Sequence, residues 1–404
     1  MRRYLRLFSL SFALCLLAVA GLTRLIDPYG YWGGPEIAGL NRFKPASGKH
    51  LRAVKLRQLE RVRPATLLVG NSRVAVGLDP EAPEWSSAAY PIYNLGLPGA
   101  GTEALVNTAI AAMDRAKPKA LVFAPDFVDF RVSLQDWRTR NATNAAGREA
   151  TARFEAVPLL LSLDALTDSL AAITEQHKAN PAHLTPQGFD SLAEYHGIVA
   201  AEGHAVLFEQ RQRDNIGRYL SGPKAVRWPG SGGSSSWAAL ERLAFECRKR
   251  GVALTLITYP YHVDLLLAFE ATGLWTAFED WHRGLAGFAQ RTGTPLYDFS
   301  RVTVETTEAV PAPGDTKTRL DFYWEAGHFK AALGRRMIAD LGQPAPRFGT
   351  RLLPSNVEPA LAEKRAALAT YRLARRKDAA RVDRLFAAVA GRGPTLAPAG
   401  FASR

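Results

Sequence analysis

Two short motifs carry side chains able to act together in covalent chemistry. The first is Gly70-Asn71-Ser72-Arg73, which follows the apolar run Thr66-Leu67-Leu68-Val69; the second is Glu325-Ala326-Gly327-His328, about 250 residues further on. A serine hydroxyl is a weak nucleophile until a base takes its proton. An imidazole does this well when a carboxylate fixes its tautomer and stabilises the imidazolium. Ser72, His328 and Glu325 are therefore the candidate nucleophile, base and orienting acid, with Asp298 as the alternative acid. Acyl chemistry is the leading reading of such a trio. Each residue also has a plainer use: Ser72 in closing or capping a strand-to-helix turn, Glu325 as a favourable first-turn carboxylate, His328 as a polar group near a helix start. The other histidines, including His177, His183, His196, His204 and His282, lack zinc-site spacing, so no metal is expected. Gly96, Gly99 and Gly101 do not make a Gly-x-Gly-x-x-Gly fingerprint, and no cofactor is implied.

These side chains need a scaffold that brings distant segments to one edge. Residues 66–69 read as a buried strand, and Gly70 lets the chain turn sharply so that Ser72 stands at the carboxyl edge, where open α/β sheets bind ligands. Residues 89–95 read as a second strand, suited to a sheet edge because of Pro91. A helix over 102–115 follows, with Thr102 as its N-cap. Strands over 120–124, 253–258 and 295–297, helices over 237–250 and 275–290, and a helix over 329–341 opened by the second motif complete the pattern. Strands separated by helices of this length predict an α/β fold with a doubly wound, mostly parallel sheet. Residues 131–236 interrupt the alternation and read as a helical insertion, a candidate lid, containing the sequon Asn141-Ala142-Thr143 and closing on the flexible tract 229–236. Arg73, Asp126 after the third strand and His262 after the fourth are candidate substrate contacts.

The chain has 404 residues, 47% of them hydrophobic, enough for one large core or two smaller ones, so that one main domain with insertions can be built. Residues 1–26 read as a signal anchor or signal peptide: Arg2, Arg3 and Arg6 precede an uncharged apolar stretch over 7–22, short of the ~20 residues a span usually needs. Leu25 and Ile26 extend it, and the anchor is preferred. By the positive-inside rule the N-terminus stays cytoplasmic and the main domain is periplasmic or extracellular. Residues 27–59 are then a linker, 60–342 the α/β domain, and 343–404 a Pro-rich linker with a basic C-terminal helix. The net charge of +13 is concentrated there, around Arg372, Arg375, Arg376, Lys377, Arg381 and Arg384. A solvated helix face is the plain account, and contact with an anionic membrane surface the functional one. No nucleic-acid motif accompanies the charge, so no nucleic-acid partner is expected. Cys15 and Cys247 are too differently placed to pair.

The order of these motifs resembles the SGNH/GDSL hydrolase superfamily, and more closely its membrane-anchored envelope branch that includes alginate O-acetylation proteins. Gly70-Asn71-Ser72 stands where that family has Gly-Asp-Ser, Gly96 in Tyr93-Asn94-Leu95-Gly96 where it has the oxyanion-hole glycine, and Glu325-Ala326-Gly327-His328 where it has Asp-x-x-His. The resemblance covers residues 60–342 apart from the insertion, and implies an SGNH/flavodoxin-like fold and a Ser-His-Glu triad. The implied oxyanion hole is formed by the N–H groups of Ser72 and Gly96, with Asn94 or Arg73 in support. The implied activity is that of an acyl esterase or O-acyltransferase on an acylated glycan, envelope polysaccharide or wall polymer, beside an integral membrane acyl-donor protein. One block departs: the family's Gly-x-Asn-Asp is replaced by Ala124-Pro125-Asp126-Phe127-Val128-Asp129, where an ionised Asp126 would repel an oxyanion. Loss of one good donor typically costs about 10²- to 10³-fold in rate. A catalytically silent glycan- or partner-binding scaffold is therefore the alternative.

Overall fold

The computed structural model describes residues 1–132, 158–178, 181–190, 192–228 and 233–391. The sequon at 141–143 and residues 229–232 of the flexible tract lie outside the described residues. The chain begins with α1 (Arg2–Ile26) and, after an irregular segment over 27–50 that ends in a 3-10 turn at Ser47–His50, α2 (Leu51–Val62). The core then alternates β1 (Thr66–Gly70), α3 (Ser72–Gly77), β2 (Ile92–Gly96), α4 (Thr102–Ala116) and β3 (Ala120–Phe123). Helices α5 (Leu163–Glu175), α6 (Ala193–Glu202) and α7 (His204–Leu220) lie in the described part of the insertion. Next come α8 (Ser235–Arg250), β4 (Ala253–Ile257), α9 (Val263–Ala271), α10 (Trp275–Thr292) and β5 (Leu296–Asp298). The chain ends with β6 (Tyr323–Glu325), β7 (His328–Phe329), α11 (Ala331–Asp340), β8 (Thr350–Arg351), α12 (Val357–Ala374) and α13 (Arg376–Ala390).

The main sheet has six strands in the order β2-β1-β3-β4-β5-β8, parallel except for the antiparallel pair β5 and β8. This is the expected α/β architecture, and the order reverses direction at β1 and β3, a topological switch point of the kind that opens a crevice at the strands' carboxyl ends. Leu67, Leu68, Val69, Leu121 and Phe123 are buried because helices cover both faces. The free edge of β2 is covered by residues 184–190 of the insertion, where Asn94 N–H donates to Gln187 O at 2.8 Å. A buried lysine pins the two together: Lys55 Nζ donates to the carbonyls of Asn94 (3.1 Å), Gly96 (2.7 Å) and Gly188 (2.7 Å).

Four local expectations are revised. The N-cap of α4 is Gly101, and Thr102 instead sends its hydroxyl to Asp129 Oδ2 at 3.3 Å. Gly70 is required less for a turn than for space, since a Cβ there would stand 2.4 Å from Val74 Cγ2 and 2.7 Å from the Tyr259 hydroxyl. The motif at 325–328 does not open a helix. Its ends pair across a tight antiparallel turn, Glu325 opposite His328, and α11 starts only at Ala331. The basic C-terminal segment is two helices broken at Arg375, folded against the core rather than free; Arg372 pairs with Glu270 and Asp383, and Arg381 with the buried Asp264.

Candidate active site

The serine is positioned by a division of labour between neighbours. β1 delivers the chain to the sheet edge, and Asn71 in extended conformation caps α3 by accepting from Arg73 N–H at 3.0 Å. Because Asn71 does the capping, the Ser72 hydroxyl is not consumed by it. It lies 2.7 Å from His328 Nε2, while His328 Nδ1 is held by Glu325 Oε1. The other carboxylate oxygen accepts from Gly327 N–H at 2.7 Å, which fixes Glu325 within its own turn. Burial by itself would raise the Glu325 carboxyl, yet the adjacent imidazole and the Gly327 N–H hold it below the usual glutamate value. Ser72 and His328 remain partly exposed, whereas Glu325 is 1% exposed. That is the gradient expected of a nucleophile open to substrate and a shielded orienting acid.

A second set of bonds locks the nucleophile turn to the ends of β3 and β4. Asp126 accepts from Asn71 Nδ2 at 2.7 Å and from the Tyr261 hydroxyl at 2.8 Å, and forms an ion pair with Arg73. Arg73 Nε in turn donates to Gly327 O at 2.6 Å, and its guanidinium lies 5.3 Å from each of the Tyr259 and Tyr261 ring centres. Burial disfavours the Arg73 charge, but Asp126 more than compensates and the guanidinium is held firmly protonated. Asp126 is thus no bare anion beside the serine; its charge is matched by Arg73. Arg73 also joins the serine turn to the histidine turn, a role that its place next to Ser72 did not reveal.

The cavity over Ser72 has a volume of about 570 Å³ and is walled on one side by the insertion, through Tyr195, Arg211, Asn215 and Tyr219. Asp129 also lines it, and burial together with neighbouring Asp126 pushes its carboxyl up to about 7. A second cavity of about 710 Å³, lined by Leu51, Leu97 and Leu184 among others, shares Pro98, Gly99, Ala100 and Asp190 with the first. Tyr195 and Arg211 had no signature in the sequence. Tyr259 and Tyr261 had a weak one, two aromatics at i, i+2 directly after a strand ending at this edge.

Several expected site residues are placed elsewhere or otherwise engaged. Gly96 N–H donates to Asn94 Oδ1 at 2.8 Å, and the Asn94 amide donates to Val74 O and Leu78 O at 2.7 and 2.8 Å. Neither donor is open to a ligand in this arrangement; Asn94 instead holds β2 against α3. Gly96 matters sterically, since a Cβ there would stand 2.4 Å from Ala75 N. Ser72 N–H belongs to the first residue of α3, where a helix supplies no backbone acceptor, and stands beside the hydroxyl. His262 is buried, caps α9 through Asp264 N–H and contacts Glu308 O at 2.9 Å, away from the cavity. Asp298 does not reach His328; it is buried among Lys364, His282 and Ser300. Among the described residues no group of three or more His, Cys, Asp or Glu converges as a metal site.

The fold and this edge define an α/β protein with a mostly parallel six-strand sheet and a serine, histidine and glutamate brought together at the sheet's carboxyl end. No family model, no curated protein and no solved structure matches the chain.

Proposed function

We propose that this protein is a membrane-anchored, extracytoplasmic serine acyl esterase or O-acyltransferase acting on an acylated envelope polysaccharide or wall polymer. The observation that carries the reading is the continuous chain from Ser72 Oγ to His328 to buried Glu325, assembled from segments 256 residues apart in sequence. In the reaction, His328 takes the Ser72 proton as Oγ attacks an ester carbonyl, and the imidazolium is stabilised by Glu325. The proton then passes to the departing alkoxide, leaving an acyl-serine. Water deprotonated by His328 releases the acid; a glycan hydroxyl in its place takes the acyl group. Ser72 N–H is the backbone donor best placed for the tetrahedral oxyanion, while the Arg73 guanidinium offsets the Asp126 charge that would otherwise repel it.

The anchor reading draws on α1. Its 25 residues span about 37 Å at 1.5 Å each, against a hydrocarbon core of about 30 Å. Thr23 and Ile26 in its last turn are packed into the domain, and Asp27 ties the exit by accepting from the N–H groups of Tyr31, Trp32 and Gly33. The buried contacts of α1 with the domain thus lie at its C-terminal end, beyond the apolar stretch over 7–22.

A second reading, a binding scaffold without turnover, draws on the engaged Gly96 and Asn94 donors. The two separate in one experiment: full-length protein in detergent is treated with a fluorophosphonate probe, with Ser72→Ala and His328→Ala alongside. Labelling of Ser72 that is lost in both variants is the expected result. A folded wild type that stays unlabelled at high probe concentration would sink the enzyme reading in favour of the scaffold.

A further inference from the structure

Helix α5 (Leu163–Glu175) presents an exposed apolar strip. Ala165, Asp168, Ser169 and Ala172 point inward, whereas Leu163 and Leu170 are 81% and 53% exposed. At 100° per residue Thr167 and Thr174 fall on the same outward side as these leucines, with half-buried Leu166 and Ile173 along one margin and Asp164 and Glu175 along the other. Leu161, just before the helix, is also exposed. The helix is held firmly in place. Its inward Asp168 accepts from the Tyr29 hydroxyl at 2.9 Å and from Lys49 Nζ at 2.7 Å, and Gln176 at its end brackets Phe43 N–H and O at 2.8 and 3.0 Å. All three partners lie in the segment that leaves α1, and α5 packs directly against α1.

The length of α1 says what meets this face. Residues 2–18 are exposed, and burial against the domain begins at Val19 and Ala20. Those 17 residues rise about 26 Å, several Å less than a hydrocarbon core of about 30 Å. To span, α1 must draw its packed final turns into the outer interface, and α5 travels with them. Arg24 beside Trp32, 5.7 Å from its ring centre, supplies the cation and aromatic usual at headgroup level.

We infer that the outward face of α5 lies in the lipid interface of the outer leaflet, a second membrane contact that fixes the domain's tilt on its anchor. The inference rests on the anchor reading above. It also orients the site, since the segment bonded to α5 supplies Pro45, Ser47 and Gly48 to the cavity that adjoins the one over Ser72. The partner is the lipid surface itself, met by leucines and threonines at the depth where acyl chains join headgroups.

The test uses the full chain, with Cys15→Ser and Cys247→Ala, and single cysteines at Leu10, Leu163, Leu170 and Leu373 carrying an environment-sensitive fluorophore. The protein is reconstituted into phosphatidylcholine and phosphatidylglycerol vesicles with lipids spin-labelled at a shallow or a deep acyl carbon. Labels at 163 and 170 are expected to shift to the blue and be quenched chiefly by the shallow spin label. The label at 10 should be quenched chiefly by the deep one, and that at 373, exposed on α12, by neither. Quenching at 10 without quenching at 163 and 170 would overturn the inference and leave the anchor standing. No quenching at any position would overturn both.

Discussion

At the scale of single residues, the site is a matter of who satisfies whom. Asn71 caps α3, so the Ser72 hydroxyl is left to His328; Asp126 is neutralised by Arg73, so it can stand near the serine. Glu325→Gln keeps the shape but loses the anion that stabilises imidazolium, and fluorophosphonate labelling of Ser72 should slow by roughly 10³-fold with the fold intact. Circular dichroism checks the fold and the labelling rate checks the role. Asp129 offers a pH signature. Its folded value of about 7 exceeds the ordinary aspartate value, so the native state binds the extra proton between about 4 and 7. Its contribution to stability is therefore most favourable below about 4 and is lost as pH rises to about 7. Asp129→Asn should raise the melting temperature at pH 8, by a stabilisation on the order of 4 kcal/mol, and change it little at pH 4. Equal gains at both pH values would refute the assignment.

At the scale of elements, close approach decides what the strands can present. β2 and α3 meet through Gly96, where any Cβ would strike the backbone of Ala75, three residues beyond Ser72. Gly96→Ala should cost about 1–3 kcal/mol by overpacking and, by displacing α3, slow Ser72 labelling although no group of the triad is altered. A variant with unchanged labelling and melting temperature would show that α3 can move without consequence. The hairpin of β6 and β7 illustrates a limit of pattern reading. Glu325 and His328 stand three apart, which suits one face of a helix equally well; Gly327 and the pairing of Tyr323 with Phe329 choose the turn instead.

At the scale of the molecule, the C-terminal helices are fastened by a buried polar cluster: Lys364 Nζ donates to Ser300 Oγ at 2.6 Å and Asp298 Oδ2 at 3.1 Å, with His282 Nε2 at 3.1 Å. Burial would raise the Asp298 carboxyl, but Lys364 and His282 hold it well below the usual range. Lys364→Met removes the lysine partner of that buried anion, leaving it His282 and hydroxyl donors, and should cost about 3 kcal/mol, with α12 and α13 becoming sensitive to limited proteolysis before the core. Uniform resistance would mean the helices are held by their apolar contacts alone. The sequence by itself determined the alternation of strands and helices, the apolar segment at the N-terminus and the identity of Ser72, His328 and Glu325, because periodicity and local motifs are short-range properties. It did not determine that Asp298 turns away to Lys364, that His262 is a buried cap, or that Gly96 spends its N–H on Asn94 while the Asn94 amide goes to Val74 and Leu78. Those outcomes depend on which groups burial leaves without water, and only the tertiary structure decides which partner each of them meets.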